Sequence, residues 1–538
     1  MTANFIPAKA HNLRAEFFDT RQWLGWLAIL GLAALFVALR WNSYNAPLGR
    51  DEGEYAYAAQ LLEHGGLPYQ HAFLQKPPMI IYSYALSHLL APRLFWAPRV
   101  LAAVMVALAT LLLGLIARLE FGKGVAFPTM YLFTPMVLLP ELDQFVPNTE
   151  MFLLLPLVAT VAVYSYSRNR GHKASYFFAA GFLGAVAFLY KYTALPLLLF
   201  VYLNWLMEVG RQKTPGLFWR SGVSLSLGAI SAAILVLGYF LVQDGGASFW
   251  ECSIRFNRYY AGSNNFGLAP LWSHLHTFWS NWWILFLLPC AVFLKPPPRL
   301  WFWLGMAAVS WISTSNSLYG QYYILGMPFW ALLSAAGISA LAWRINAAAA
   351  RSARGTGGLI TVVVLLLVLR PDAPWLTCSP ARFIEVKWAG YPFSESRLVA
   401  KRVAELSAPG DFVYVAGSEP QILYYAQRDS PTRFITSYAL MIPTPFTQDY
   451  QQQAMRDLLA WPPALIVYVN SSASWMRQET TPLEFFAFLN QFKSENYERV
   501  GGYVKAGTKG HWAEPLPENE LANASLILFK RKGLESHP

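Results

Sequence analysis

Four ionisable side chains that could carry out chemistry stand close together, directly after the first apolar run of the sequence. Asp51, Glu52 and Glu54 belong to the stretch "GRDEGEYAYAAQLL", and Lys76 follows in "LQKPPM". A carboxylate near a hydroxyl group can take its proton as a general base. A lysine in a backbone that two prolines stiffen can neutralise a phosphate. These residue types therefore indicate acid–base and phosphate chemistry in one loop.

The sequence also leaves a structural interpretation open for these residues. Asp51 and Glu52 begin a segment with helical spacing, so they could cap that helix against its dipole. Glu150, a further candidate acid, begins an apolar run in "PNTEMFLLLP" and could do the same. Lys76 could extend its ammonium group from the membrane surface into water.

More cations lie in later loops that join apolar runs. Lys191 stands in the tight "YKY" connection, and Arg255 and Arg258 stand in "SIRFNRYY". Lysine, arginine and tyrosine side chains that meet at the depth of lipid headgroups suit a phosphate or pyrophosphate, through charge-assisted hydrogen bonds. We therefore predict that these residues join Lys76 in a phosphate site.

The composition indicates a membrane protein with many spans. Of 538 residues, 55% are hydrophobic and only 13% are charged, whereas soluble proteins carry about 25% charged residues. The net charge of +11 could suggest nucleic acid, but the basic residues lie between apolar runs rather than in one patch, which is typical of cytoplasmic loops. We expect no nucleic-acid partner. The three cysteines have no metal or redox spacing.

Apolar runs of roughly 15–22 residues are long enough to cross a bilayer, and the chain has about eleven of them. Every second connection between them is short and basic, as the positive-inside rule requires of cytoplasmic loops. This alternation places residues 1–22 in the cytoplasm and the loop 41–95 outside. The predicted spans are residues 23–40, 96–117, 125–140, 150–167, 174–190, 192–208, 222–242, 277–294, 300–315, 322–343 and 357–370.

The composition changes after the last apolar run, at residue 371. Charges, proline and serine return, and short runs rich in β-forming residues alternate with two segments of helical spacing. This pattern predicts a small external α/β domain over residues 371–538, with a mainly parallel sheet. The predicted strands are residues 411–417, 464–470, 499–504 and 525–530, and the predicted helices are residues 397–406 and 453–461.

These residues and their order resemble a known family. The loop "RDEGEYAYAAQLLEHGGLPY…LQKPPM" and the later "PNTEMFLLLP", "AFLYKYTALP" and "YGQYYILGMPFWALL" are similar to GT-C membrane glycosyltransferases of the protein O-mannosyltransferase and aminoarabinose-transferase type. The resemblance implies an all-α GT-C transmembrane catalytic domain over residues 23–370, with external helices at the membrane surface. It also implies that the protein lies in the inner membrane of a bacterium and that the domain after residue 370 is periplasmic.

The resemblance also implies roles for individual residues. Asp51 matches the loop aspartate that acts as catalytic base, with Glu52 and Glu150 as further acids. Lys76 and Lys191 match lysines that contact the lipid phosphate in this family. Gln75 departs from the family, since the aminoarabinose branch has a glutamate there, and no metal ligands are assigned, although a divalent cation remains open. The predicted phosphate-binding residues are Lys76, Lys191, Arg258, Arg255 and Tyr322, and the predicted acceptor or sugar contacts are Glu54, Tyr55 and Gln321.

Three functions are compatible with these features. The first is an inverting glycosyltransferase that takes a sugar from a polyprenyl-phosphate donor at the external face. The second is a transporter or flippase for a lipid-linked saccharide, although such proteins tend to have paired halves and sites at mid-membrane, and we find no repeat. The third is a sugar polymerase or ligase, in which the acid and lysine loop would be unexpected. The acceptor could be a glycan, a lipid or a protein.

Overall fold

A computed structural model of the protein describes residues 22–92, 94–138, 146–212, 215–263, 269–314, 320–349, 353–388, 390–506 and 509–534. The predicted cytoplasmic N-terminus lies outside these residues, apart from Gln22. Helices form residues 22–369, which we call the helical part, and a mixture of helices and strands forms residues 371–534, which we call the C-terminal part.

The helical part is an array of apolar helices. Its helices are α1 Gln22–Arg40, α2 Arg50–Glu63, α3 Met79–Leu90, α4 Ala97–Phe121, α5 Lys123–Leu138, α6 Thr149–Arg170, α7 Ala174–Tyr190, α8 Leu195–Gly210, α9 Pro215–Val242, α10 Gly246–Phe249, α11 Asn257–Ser263, α12 Ala269–Trp282, α13 Ile284–Cys290, α14 Leu300–Ile312, α15 Met327–Ala349 and α16 Ala353–Leu369, and a π-helical turn joins α10 to α11 at Trp250–Phe256.

Each of the eleven predicted spans overlaps a helix or a helix pair, which confirms a polytopic all-α domain. Among the described residues, five helices are long and apolar enough to cross a membrane, and a sixth span results if the pair Leu271–Trp282 and Ile284–Leu294 is counted as one bent helix. The remaining predicted spans correspond to shorter helices or, for α5, to a helix interrupted by Pro128 and Pro135.

Close helix packing in this part relies on small residues. A Cβ at Gly181 of α7 would lie 2.0 Å from the carbonyl oxygen of Leu225 in α9, and a Cβ at Gly228 of α9 would lie 2.0 Å from that of Phe178. Small residues let helix backbones approach in a membrane, where no hydrophobic effect drives helices together. Any larger side chain at either glycine would force α7 and α9 apart.

The segment between α1 and α4 folds into two helices, α2 and α3, which lie between the other helices of the helical part and the C-terminal part. Residues 52–61 of α2 are all buried, although several are polar or charged. One position shows how tight this contact is, because a Cβ at Gly53 would lie 2.5 Å from the backbone nitrogen of Gln421. The predicted external loop is therefore an internal layer of the protein rather than a surface excursion.

The C-terminal part surrounds one five-stranded sheet. Its helices are α17 Ala373–Thr377, α18 Pro380–Lys387, α19 Phe393–Glu405, α20 Gln421–Ala426, α21 Tyr438–Met441, α22 Thr447–Ala460, α23 Ser472–Trp475 and α24 Glu484–Asn496, and its strands are β1 Val413–Ala416, β2 Leu465–Val469, β3 Tyr497–Ala506, β4 Lys509–Ala513 and β5 Ala524–Arg531. The four predicted strands and both predicted helices overlap elements of this set, and β4 is an addition.

The expectation of a mainly parallel sheet is wrong. The strand order is β1-β2-β5-β3-β4, and only β1 and β2 pair in parallel. Helices cross over between those two strands, as a parallel pair requires. The last three strands instead form antiparallel pairs, with β5 between β2 and β3. Because only two residues separate β3 from β4, that connection can only be a hairpin.

Hydrogen bonds and ion pairs hold the C-terminal part against α2, α3 and the loops beside them. Arg433 makes a bidentate ion pair with Glu251, with both nitrogen–oxygen distances at 3.0 Å. Bonds of this fork geometry are strong and directional. Further bonds join the Tyr57 hydroxyl to Ser430 N, the Tyr425 hydroxyl to Leu48 N, Tyr424 to His88, and Gln427 to Gln60.

Candidate active site

A cavity of about 330 Å³ lies where α2, the loop before α3, the start of α6 and the C-terminal part meet. Its wall combines acids and cations with a large number of hydroxyl and aromatic groups. The lining residues are Gly49, Arg50, Asp51, Glu54, Tyr55, Gln75, Lys76, Val146, Asn148, Thr149, Glu150, Tyr260, Gln321, Tyr322, Trp388, Tyr391, Phe393, Tyr438 and Met476.

Glu52 lies outside this cavity and holds the start of α2 in place. Its carboxylate accepts hydrogen bonds from Arg99 at 2.8 and 2.9 Å and from the backbone nitrogen of Gly49 at 3.0 Å. Both side chains of the ion pair are fully buried, and Arg99 also donates to carbonyl oxygens in residues 43–47. Glu52 is therefore the acid that caps the helix, and it positions the loop from outside the cavity lining; its predicted catalytic role stays a prediction.

Asp51, the neighbouring acid, lines the cavity from the first turn of α2 and is partly exposed there. The capping interpretation that the sequence left open for both acids applies to Glu52, since the backbone bond at the helix start is made by that residue. Asp51 is thus left with its carboxylate at the cavity, where a substrate hydroxyl could reach it.

Arg50 ties the first turn of α2 to the C-terminal part. Its guanidinium donates to the carbonyl oxygens of Ser418 and Ala473 at 3.0 Å each, and it lies 3.8 Å from the Glu419 carboxylate. It also lies over the ring of Tyr391, at 5.4 Å from the ring centroid. Since Arg50 directly precedes Asp51, these contacts fix the backbone that carries the candidate base.

Lys76 lines the cavity on the side of the loop that leads to α3. Burial disfavours its ammonium, but the hydroxyl of Tyr322 and the carboxylates of Asp51 and Glu150 outweigh that cost and raise the pKa of Lys76. The backbone beside it is fixed as well, because the Tyr69 hydroxyl donates to the Lys76 carbonyl oxygen at 2.8 Å. Lys76 therefore offers a permanent positive charge to an anion in the cavity.

Lys191 lies behind the cavity wall and supports two residues that form it. Its ammonium donates to Glu150 Oε1 and stacks on the Tyr322 ring, at 3.0 Å from the centroid. The Thr149 hydroxyl donates to Glu150 Oε2 at 2.8 Å. Lys191 is only 7% exposed and is not among the lining residues. The contacts of Lys191 therefore orient Glu150 and Tyr322, which do line the cavity.

Arg255 and Arg258 are exposed and do not line the cavity in this structure. Arg255 stacks over the Phe446 ring, at 3.8 Å from its centroid. The segment that carries them instead contributes Tyr260 to the lining. Their predicted role in phosphate binding therefore stays a prediction, with the two arginines outside the cavity wall.

Glu54 is an acid whose burial favours its protonated form. The hydroxyl oxygen of Tyr438 lies 3.0 Å from Glu54 Oε1 and 3.0 Å from the carbonyl oxygen of Phe73. One hydroxyl proton cannot serve both acceptors fully, and a carbonyl cannot donate, so a protonated Glu54 satisfies both contacts. Burial, reinforced by the charge of Asp51, raises the pKa of Glu54 to about 8.

Comparisons with known proteins identify the fold that carries this cavity. The family model of dolichyl-phosphate-mannose-protein mannosyltransferase matches residues 75–237. The crystal structure of ArnT from Cupriavidus metallidurans bound to undecaprenyl phosphate matches with a TM-score of 0.58 and 15% identity, over 96% of this chain and 100% of that chain. The chain has the GT-C fold.

The apo structure of the same ArnT gives a similar result, with a TM-score of 0.55 and 15% identity over 94% of this chain and 97% of that chain. None of the curated proteins compared with the chain matches it. The resemblance to GT-C proteins that the sequence motifs suggested is thus confirmed at the level of the fold, in both the helical part and the C-terminal part.

The GT-C chain brings most of the predicted site residues to one cavity. Asp51, Glu54, Tyr55, Lys76, Glu150, Gln321 and Tyr322 all line it, whereas Glu52, Lys191, Arg255 and Arg258 do not. Sequence reasoning missed the contribution of the C-terminal part, namely Trp388, Tyr391, Phe393, Tyr438 and Met476. No motif in the sequence signals these residues, because they reach the cavity only through the packing of the two parts.

No metal ion is assigned to this cavity. Among the residues that the structure describes, no group of three or more histidine, cysteine, aspartate or glutamate side chains is arranged to hold one. Gln75, at the position where the aminoarabinose branch has a glutamate, lines the cavity and accepts a hydrogen bond from Asn257 through its backbone oxygen. A role for a divalent cation stays a prediction.

The pH dependence of stability and activity should identify Glu54. Because its folded-state pKa of about 8 lies above the ordinary value of 4.5, the folded protein keeps a proton that the unfolded chain releases. The free energy of unfolding should therefore fall as pH rises from about 4.5 to about 8, and activity should fall above that range, where a second charge develops beside Asp51. The charged and titratable groups that face Glu54 are Asp51, Lys76, Tyr438 and Arg50.

Glu54→Gln should remove this slope in thermal unfolding and retain activity at alkaline pH. Glu484→Gln, at an exposed glutamate in the first turn of α24, is the matched control and should behave as the wild type. An unchanged slope in Glu54→Gln would show that Glu54 is ionised at neutral pH.

Proposed function

We propose that this GT-C protein is an inverting glycosyltransferase that moves a sugar from a polyprenyl-phosphate donor to an acceptor. The observation that carries the proposal is the placement of Asp51, Lys76 and Tyr322 at one cavity beside a membrane-spanning bundle. The family description names a dolichyl-phosphate sugar donor, and the ArnT structure binds undecaprenyl phosphate. Both are polyprenyl phosphates, which supports a donor of this class.

Lys76 would act on the leaving group. As the bond between C1 of the sugar and the phosphate oxygen breaks, the oxygen keeps the electron pair and the negative charge on the phosphate increases. A fixed cation beside that oxygen stabilises the transition state more than the ground state. Tyr322 interacts electrostatically with Lys76, and the Lys191 ammonium lies over the Tyr322 ring. We assign Lys76 and Tyr322 to the phosphate subsite.

Asp51 would act on the acceptor. Its carboxylate takes the proton of the acceptor hydroxyl while the hydroxyl oxygen attacks C1 from the face opposite to the phosphate. A single displacement of this kind inverts the configuration at C1. Glu150, held in one orientation by Lys191 and Thr149, would orient the acceptor or the sugar rather than exchange a proton.

The proposal includes a location and an orientation. The protein would lie in the inner membrane of a bacterium, with its N-terminus in the cytoplasm and the cavity and C-terminal part at the periplasmic face. The basic residues in alternate connections support this orientation. The donor lipid would then enter from the membrane, while the acceptor could be a glycan, a lipid or a protein.

Purified full-length protein tests the function directly. Undecaprenyl phosphate linked to radiolabelled hexoses and pentoses would be incubated with the protein and bacterial envelope extract as the acceptor source. We expect label to move to an extract component while free undecaprenyl phosphate is released. Movement of intact donor across a proteoliposome membrane, without cleavage of the C1–O bond, would instead show a transporter. Neither cleavage nor movement for any donor would contradict both functions.

A further inference from the structure

Two buried polar groups at the cavity have no hydrogen-bond partner among the residues that the structure describes. They are the Tyr55 hydroxyl and Asn148 Oδ1, from side chains that are 1% and 5% exposed. Both residues line the cavity. Leaving such groups unpaired inside a protein is costly, so an unpaired pair at a binding cavity points to a ligand that completes their hydrogen bonds.

The Tyr55 hydroxyl is held at a defined place. Its ring packs edge-on against Tyr84, with ring centroids 5.5 Å apart, and Tyr84 donates to the carbonyl oxygen of Pro147. Tyr55 follows Asp51 by four residues, so the two side chains lie on the same face of α2. The Tyr55 hydroxyl therefore lies one helical turn from the candidate base.

Asn148 does not perform the task that an asparagine at its position usually performs. It is the N-cap residue of α6, where an asparagine side chain normally accepts a hydrogen bond from the first turn of the helix. Here the side chain makes no such bond. Its amide oxygen is therefore available to the cavity, two residues before Glu150 and next to the backbone that Tyr84 holds.

The charges nearby are already used. Lys191 neutralises Glu150, and burial of the Glu54 side chain favours its protonated, neutral form. Asp51 is then the remaining anion opposite the Lys76 cation. A positively charged sugar would find no additional carboxylate to pair with, whereas hydroxyl groups match the neutral tyrosine and amide groups.

We propose that Tyr55 and Asn148 form the subsite for the donor sugar, binding its ring hydroxyl groups, and that this sugar is uncharged. The inference rests on the proposed function, since it assumes a sugar between the phosphate at Lys76 and the acceptor at Asp51. It adds the class of sugar and the two residues that recognise it.

Comparing the binding of two ligands distinguishes recognition of the lipid phosphate from recognition of the sugar. Binding of undecaprenyl phosphate, and of undecaprenyl phosphate linked to a neutral hexose, would be measured by calorimetry on the full-length protein. Tyr55→Phe and Asn148→Leu should bind undecaprenyl phosphate as the wild type does, and each should bind the hexose donor about tenfold more weakly. Tyr497→Phe, which removes a buried hydroxyl from a residue of the C-terminal part outside the lining, is the matched control and should bind both ligands normally.

Deoxy donors provide a second measurement that does not depend on the stability of a variant. Wild-type protein should bind at least one monodeoxy hexose donor about tenfold more weakly than the parent donor, and Tyr55→Phe should not distinguish that pair. A donor that carries an amino sugar should bind the wild type more weakly than the neutral hexose donor.

The outcomes distinguish the two proposals. Wild-type protein that binds neither undecaprenyl phosphate nor the hexose donor would overturn the proposed function and this inference with it. Normal binding of undecaprenyl phosphate, together with unchanged hexose-donor affinity in Tyr55→Phe and Asn148→Leu, would overturn the sugar subsite alone. A preference for the amino-sugar donor would overturn the assignment of an uncharged sugar.

Discussion

Asp51→Asn is expected to lower turnover by about a hundredfold or more, the range that removal of a general base typically costs, while the protein keeps its fold and its donor binding. Asparagine has nearly the same size as aspartate and makes most of its hydrogen bonds, but it cannot accept the proton of an acceptor hydroxyl. The helix start should survive the change, because Glu52 makes the bond to Gly49 N and Arg50 anchors the same turn in the C-terminal part.

The measurement is transfer of label from a polyprenyl-phosphate sugar, together with donor binding and thermal unfolding. Asp449→Asn is the matched control, since Asp449 also lies in the first turn of a helix, α22, but is exposed and is not among the lining residues. It should leave turnover unchanged. Near-normal turnover in Asp51→Asn would show that Asp51 is not the base and has only a structural role at the start of α2.

Lys76→Ala is expected to weaken donor binding by about tenfold to a hundredfold, since a hydrogen bond to a charged group contributes about 1.5–3 kcal/mol. The effect should be larger than for a cation on an open surface. The cavity is partly closed to water, and water would otherwise screen the charge of Lys76. Turnover should fall as well, because the leaving phosphate loses the cation that stabilises it.

Calorimetry with undecaprenyl phosphate measures this loss without requiring an acceptor. Lys401→Ala is the control, because Lys401 lies on the C-terminal part with its side chain 78% exposed. Lys191→Ala should also weaken binding, through displacement of Glu150 and Tyr322 rather than through loss of a contact with the phosphate. Unchanged affinity in Lys76→Ala would contradict the phosphate subsite.

The sequence was sufficient to predict the helical part, because bilayer-length apolar runs and basic connections are local features. It also selected Asp51, Lys76, Glu150 and Tyr322, since charged and aromatic residues at the ends of apolar runs stand out in composition. All four line one cavity. For these residues, the type of side chain and its place beside a span carried the information.

The prediction could not separate Asp51 from Glu52. The two acids are adjacent and chemically similar, and the difference depends on Arg99, whose guanidinium reaches Glu52 from α4. Lys191 stands behind the lining for a similar reason, since its partner Glu150 is distant in sequence. Tertiary pairing of this kind leaves no periodic signal along the chain.

The sheet of the C-terminal part was predicted incorrectly because alternation of strands and helices is visible in the sequence, whereas the order of strands is not. β1 and β2 follow the expected parallel pattern. The final three strands lack crossover helices between them, and the two-residue separation of β3 from β4 is the local signal that could have indicated an antiparallel hairpin.

The close contact between α2 and the C-terminal part limits how this protein could be recombined with its relatives. Gly53 touches the backbone of Gln421, and Arg50 donates hydrogen bonds to the carbonyl oxygens of Ser418 and of Ala473 in α23. A chimaera that exchanged residues 371–538 alone would place a foreign surface against a helix shaped for another one. The smallest exchangeable module is therefore discontinuous and comprises α2 together with the C-terminal part. Because α2 carries Asp51, exchange of this module also exchanges the candidate base.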